Sequence, residues 1–427
     1  MGPIARARTR RGLLVLVALA ASVHAALGAG SLGDYPGDAG PALDALLRGD
    51  LHAFSAAQPA MGAFSLLLRL PFAGLAHLGG PPTQLEVYRW GVFPCVAAIG
   101  LLGVWLAEIA RSRGTGLPGQ VAIVALAVLN PFVTSAVGLG HPEELLTASL
   151  AIGAVVAAVH RRSVLTAVLL GLALATKQWA VIAVLPVLLA LDARRLRVLA
   201  GAAAIAGGIT LLAVVGSPGA FLANQLALVH EHYLEPPTQS WLYSISPRVT
   251  LHLPHGLVHH GPRLPGSVVG LLHPLIIGVA LAIAAYLARL GPTRRTLDRL
   301  FAAIALAFLL RCTLDTETMT YYHAPLFATL LAWDALRGER LPLRGLAAAG
   351  LAYVVLDRLG PGAIGTGPAA LAYLAATVGL AVALAATLVR APRARVPGDP
   401  ARPGRAGSRS ALGGRREPGG RVVETGA

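Results

Sequence analysis

The sequence predicts an all-α protein, a polytopic bundle of transmembrane helices, and three observations carry that reading. Of its 427 residues 55% are hydrophobic and 13% charged, with a mean hydropathy of +0.66, too apolar for a water-soluble chain of this length. Charge-free intervals such as Gly12 to Gly33, Gly114 to Pro142, Val198 to His230 and Leu359 to Val389 separate short charged clusters. Several exceed the roughly 20 residues that a bilayer-crossing helix needs. Ala and Leu dominate and strand-like alternation is absent, so helices rather than a barrel satisfy the backbone.

In chain order, Arg6, Arg8, Arg10 and Arg11 precede the first apolar run and place the N-terminus in the cytoplasm. The end of that run, Val23 to Gly28, also has the form of a signal-peptide cleavage region. Either reading brings the chain outside after Gly30. Met61 to Gly80 is interrupted by Arg69 and Pro71 and is read as a helix skimming the outer surface, because a crossing there would move Arg111 and Arg113 outside. The remaining runs give about 12 spans, two of them short, near residues 12–30, 87–109, 120–138, 144–160, 163–176, 179–191, 198–216, 267–289, 300–311, 322–336, 345–359 and 368–389. On this topology 27 of the 35 basic residues fall inside and 8 outside. Both termini are then cytoplasmic in a multi-pass protein of the cell membrane.

The organisation that follows has six parts. Residues 1–30 form a cytoplasmic arm and first span, 31–86 an outer loop with acidic residues and amphipathic surface helices, and 87–216 an N-terminal transmembrane module. Residues 217–266 form a second outer loop, 267–389 a C-terminal transmembrane module, and 390–427 a basic cytoplasmic tail expected to be disordered. The net charge of +15 does not point to nucleic acid, since nine arginines lie in the last 38 residues and most others flank apolar spans. Cys95 and Cys312 sit in or beside apolar segments and read as packed thiols.

Lys177 is the only lysine. The 14 uncharged residues on each side make legs of about 21 Å, short of a hydrocarbon core of about 30 Å. A straight helix would bury Lys177 at mid-bilayer and invert everything downstream. A hairpin instead puts Lys177, with Gln178 and Trp179, at an outer tip sunk below the membrane surface.

Polar residues collect on that same outer side. Asp34 and Asp38 follow the first span, where Pro36 and Gly37 bend the chain so that both carboxylates can point one way. Pro41 to Arg48 reads as a short amphipathic helix with Ala42, Leu43, Leu46 and Leu47 on its apolar side. His141, Glu143 and Glu144 open a helix around Pro142, and a later outer turn carries Arg311, Asp315, Glu317, Tyr321, Tyr322 and His323. Each has a plain structural alternative: aspartates cap helices, acids complement a helix N-terminus, tyrosines form an interfacial belt and a lysine snorkels. Together they offer carboxylates able to accept a proton and submerged cations able to hold a phosphate. His255 and His259, four apart, would share a face on a helix and leave a divalent cation as an open reading, though Pro254 and Gly256 disfavour that helix. No nucleotide-binding loop or hydrolase elbow is present.

With these residues in place the chain resembles the GT-C superfamily of membrane glycosyltransferases, and "GLALATKQWAVIAVLPVLLAL" is similar to the lysine-then-Leu-Pro hairpin of members such as glycosyltransferase family 87. Asp34 followed by Gly49 fifteen positions later, and "AQPAMGAFSLLLRLP", resemble the family's acidic motif and second surface helix. Tyr35 stands where a strict pair has its second acid, so Asp34 and Asp38 both remain candidates for the base.

The resemblance implies inverting transfer of a mannose-like hexose or a pentose from a polyprenyl-phosphate donor to a lipid or cell-envelope glycan acceptor on the outer face. Asp34 or Asp38 would act as base. Lys177, Gln178, Trp179, His141, Glu143, Glu144, Arg311, Tyr321, Tyr322 and His323 would bind substrate or its phosphate. A transporter or flippase would place ionisable groups at mid-bilayer with an internal repeat, and neither is evident. A polysaccharide polymerase or ligase would share the outer loop.

Overall fold

The computed structural model describes residues 3–59, 61–229, 236, 238, 240–252, 258–316 and 318–390. Its helices in chain order are α1 (Pro3–Leu27), α2 (Ala39–Leu47), α3 (Leu51–Ala56), α4 (Ala63–Leu75), α5 (Gln84–Ser112), α6 (Leu117–Val128), α7 (Pro131–Gly138), α8 (Glu143–Val159), α9 (Ser163–Leu174) and α10 (Val181–Ala190). There follow α11 (Arg195–Val215), α12 (Pro218–Val229), α13 (Trp241–Ile245), α14 (Gly266–Arg289), α15 (Gly291–Arg294), α16 (Leu297–Leu314), α17 (Ala324–Arg337), α18 (Leu343–Ala352), α19 (Pro361–Ile364) and α20 (Thr366–Val389).

The chain is a membrane protein, and six of the twelve expected spans coincide with long apolar helices. Six helical stretches are long and apolar enough to cross: Ala7–Leu27, Gln84–Ser112, Leu117–Gly138, Arg195–Val215, Gly266–Arg289 and Thr366–Val389. The other six expected spans fall on α8, α9, the 3-10 turn Gln178–Ala180 with α10, α16, α17, and α18 continued by the π-helical turn Tyr353–Arg358. These are short or carry charges near their ends. The all-α expectation also needs one correction: β1 (Arg248–His252) and β2 (Val258–Pro262) pair antiparallel, with Thr250 opposite His260. His259 is therefore on a strand, and its expected partner His255 lies outside the described residues, as do Glu317 and the tail 391–427.

Burial separates an inner layer from a lipid-facing one. Every residue of α8 from Glu143 to Ala158 is buried, and α16 and α17 are nearly as enclosed. Ala148, Ala151, Gly153, Ala154, Ala157 and Ala158 make α8 slim, so α5, α9, α10 and α17 can pack closely around it. Much of the surface of α1, α11, α14 and α20 is exposed and apolar, as a face toward hydrocarbon must be.

The hairpin expected at Lys177 is present. Lys177 meets Glu143 at the start of α8, whereas the Leu189 carbonyl near the end of α10 accepts from Arg295 just before α16. α9 and α10 thus run in opposite directions. With 12 and 10 residues they reach only about 18 and 15 Å.

Between α1 and α5 the chain forms α2, α3 and α4. Leu43, Ala42 and Ala45 of α2 are buried, and Gly49, at positive φ, closes that helix by donating to the Leu46 carbonyl. Asp50 caps α3 through the Ala53 N–H. The backbone N–H groups of Gly62 and Phe64 donate to the Thr176 and Ala175 carbonyls, tying the start of α4 to the hairpin tip. The early surface helices and the lysine hairpin are one unit.

Candidate active site

The site begins as a backbone contact between two glycines. Gly33 and Gly140 both adopt positive φ, at 53° and 90°. A Cβ on Gly33 would lie 2.2 Å from the Leu139 carbonyl carbon, and one on Gly140 would lie 2.8 Å from the Tyr35 nitrogen. Only two bare backbones fit at this distance. The contact is fixed by Asp34 N–H donating to the Leu139 carbonyl at 3.1 Å, and it brings Asp34 beside His141.

His141 is the hub. Its Nε2 lies 3.0 Å from Asp34 Oδ2, and its Nδ1 lies 3.1 Å from Glu143 Oε1 and 3.8 Å from Asp38 Oδ2. Both nitrogens face carboxylates, so both carry protons. Burial works against a charged imidazole, but the hydrogen bond and charge of Glu143 outweigh it and hold His141 up at about 9.

From Glu143 the network continues to Lys177, whose Nζ sits 3.2 Å from Glu143 Oε1 and 3.5 Å from Glu144 Oε1. The indole of Trp179 donates to Glu144 Oε2 at 2.8 Å. The Arg311 guanidinium stacks between the Trp179 and Tyr322 rings, 4.9 and 4.8 Å from their centroids. Tyr321 stacks on His141 at 4.9 Å and meets Tyr322 edge-on at 4.8 Å. Residues from four separate parts of the chain thus share one end of the bundle.

The two aspartates differ in setting. The Asp34 side chain is 71% exposed and bonded to His141, while that of Asp38 is 24% exposed and makes no capping bond to α2. Burial pushes the Asp38 carboxyl up and Glu143 adds to that, against the pull of Lys177, His141 and Arg69. A carboxylate so raised is a stronger base than a solvated one.

Two expected site residues stand apart. Gln178 is exposed, and no contact among the described residues ties it to the network. His323 faces away: its Nδ1 points at the Met319 and Thr320 carbonyls, so its Nε2 accepts from Tyr373, 3.0 Å away. It belongs to an apolar cleft lined by Phe132, Leu326, Val355, Tyr373 and Leu380.

One oxygen each of Asp38 and Glu143 and one nitrogen of His141 lie within 4.8 Å of one another, close enough for a divalent cation to bridge. The doubly protonated imidazole offers no lone pair, however, and Lys177 already faces Glu143. As arranged, the set is served by the protein's own cations.

Sequence reasoning passed over Tyr35 and Arg69, both fully buried beside the aspartates. Arg69 was legible as a charge inside an apolar helix, a rarity that marks function in a membrane chain. It was read there only as a helix interruption.

Comparison with known proteins gives one match. The family described as glycosyltransferase family 87 matches residues 62–316, which is more than half of the chain. No curated protein and no solved structure matches.

Proposed function

The chain belongs to glycosyltransferase family 87, and from that membership we propose that it moves a mannose-like hexose or a pentose from a polyprenyl-phosphate donor to a lipid or cell-envelope glycan acceptor, at the outer face of the cell membrane. The observation that carries this reading is one continuous network joining a half-buried carboxylate, Asp38, to a submerged ammonium, Lys177, through His141 and Glu143.

Asp38 takes the proton from the acceptor hydroxyl as that oxygen attacks the anomeric carbon. The bond from that carbon to the phosphate oxygen breaks on the opposite side, so configuration inverts. The polyprenyl phosphate leaves with the electron pair, and its added charge is met by Lys177 and Arg311. Asp34 holds the His141 ring from its exposed side and is a positioning group rather than the base. Trp179 and Tyr322 hold the Arg311 guanidinium between their rings, and the cleft behind His323 is apolar as a prenyl chain requires. A divalent cation is not needed for any of these steps.

The test is transfer by purified full chain in lipid nanodiscs supplied with a polyprenyl-phosphate sugar. Asp38→Asn is expected to lose about 10²- to 10⁴-fold in kcat, with Asp34→Asn retaining more activity. Full transfer by Asp38→Asn would end this assignment of the base.

A further inference from the structure

Arg69 lies outside the catalytic network, and its surroundings are unusual for a charge. On α4 it is completely enclosed, and none of Nε, Nη1 and Nη2 has a hydrogen-bond partner. An arginine stays protonated in such a place, and burying its charge costs several kcal/mol unless other charges answer it.

The immediate neighbours do not answer it. The guanidinium sits 5.3 Å from the centroid of the Tyr35 ring, which itself packs 4.9 Å from Tyr88. A cation over an aromatic ring gains less than its burial costs. Tyr35 is no counter-ion, because burial pushes its phenol up to about 12. On the other side α5 leaves room with Gly91, where a Cβ would stand 3.4 Å from Arg69 Nε.

The charges that remain are those of the site. Burial and Glu143 push the Asp38 carboxyl up, and Lys177, His141 and, least of the three, Arg69 pull it down, while Glu143 Oε2 is likewise buried without a partner. Tyr35, over which Arg69 lies, belongs to the turn that carries Asp34 and Asp38, closed by Asp38 N–H donating to the Asp34 carbonyl at 2.9 Å. Arg69 therefore lies beneath the acidic turn.

We propose that Arg69 is a positioning residue for transfer, a fixed buried charge beneath the acidic turn that keeps the Asp38 carboxylate ionised and ready to take a proton. The proposal rests on the transferase reading above. The groups facing Asp38 are Asp34 on its own turn, His141 and Glu143 from the start of α8, Lys177 from the hairpin tip and Arg69 from α4. Of the cations, Lys177 is drawn toward the donor phosphate when substrate binds, and its hold on Asp38 weakens. Arg69 is enclosed and cannot be neutralised by the donor, so its charge persists through the cycle.

The decisive measurement is an infrared titration of the full chain in nanodiscs, with the Asp38 carboxyl band identified by its loss in Asp38→Asn. In Arg69→Gln the midpoint of that band should rise, the direction that follows from removing a buried positive charge beneath the turn. Arg69→Lys, which keeps the charge, should restore most of it. The acid limb of kcat/KM should move in the same direction while the donor KM stays within about twofold.

An unmoved Asp38 midpoint in Arg69→Gln overturns the proposal and leaves Arg69 as a spacer. Should Arg69→Gln not accumulate folded, Arg69→Met, which fills the volume without polar atoms, is titrated in its place with the same criterion. If the wild type transfers no sugar, the transferase reading fails, and the infrared midpoint still judges what Arg69 does to Asp38.

Discussion

Two charged clusters, one toward each end of the bundle, hold their charges differently, although Arg10, Glu108 and Arg295 elsewhere in the chain also have a buried polar atom without a partner. At the end opposite the candidate site, Arg337 Nη1 donates to both oxygens of Asp298 at 2.6 Å, and Trp333 donates to the same carboxylate at 2.8 Å. Asp334 accepts from Arg344 Nη1 at 2.5 Å and from the backbone N–H groups of Arg344 and Gly345 at 2.8 and 3.1 Å, while the Arg344 guanidinium stacks on Trp333. None of these four charged residues has a buried polar atom without a partner. At the site end, Arg69, Tyr35 and Glu143 all have one.

The difference separates a structural ion network from a chemical one. Charges that only hold α16, α17 and α18 together are matched geometrically and saturated. Charges that must receive a substrate keep unused bonding capacity, which the surrounding fold has to sustain.

Three measurements would break or sharpen this contrast. The largest effect is expected at the saturated end. Asp334→Ala leaves two backbone donors unanswered and Arg344 with Glu339 alone, 3.7 Å away, and should lower stability by about 3–5 kcal/mol in thermal or denaturant unfolding while transfer per folded molecule is unchanged. A specific loss of transfer would place that end in the reaction.

Next comes the pH dependence of the site end. His141 is held at about 9, above its ordinary 6.5, so its protonation stabilises the fold fully below about pH 6.5. That contribution, about 3 kcal/mol, is lost as the pH rises through about 9. The wild-type melting temperature should fall across this interval, and His141→Gln should flatten the curve.

The smallest is Gly33→Ala. Its positive φ and its approach to Leu139 predict a loss of about 1–3 kcal/mol in unfolding experiments, with transfer reduced because Asp34 moves off His141. A variant as stable as the wild type would show that the two-glycine contact does not set the site.

Much of the scaffold was legible before any coordinates. The long apolar spans fall within a few residues of their expected positions, because hydropathy over about 20 residues is a local quantity. The lone Lys177 marked a hairpin tip for the same reason: two legs too short to cross must turn back. The remaining expected spans are less legible, since α8, α9, α10 and α17 are shorter than about 20 residues and are enclosed by neighbouring helices. The hairpin β1–β2 was missed although Arg248–His252 alternates polar and apolar residues, because a five-residue run is too short to stand out and its partner strand, Val258–Pro262, does not alternate.

By itself, then, the sequence determined which segments enter the membrane and which residues could carry charge there, since composition and spacing are properties of neighbours along the chain. Only the tertiary structure decided their partners. Asp34 and His141 are 107 residues apart and meet through a contact that two distant glycines permit. It also separated Asp38 from Asp34 by burial, turned His323 away toward Tyr373, and left Arg69 enclosed without a hydrogen bond. Burial and pairing depend on what packs across the bundle, which no local window of sequence contains.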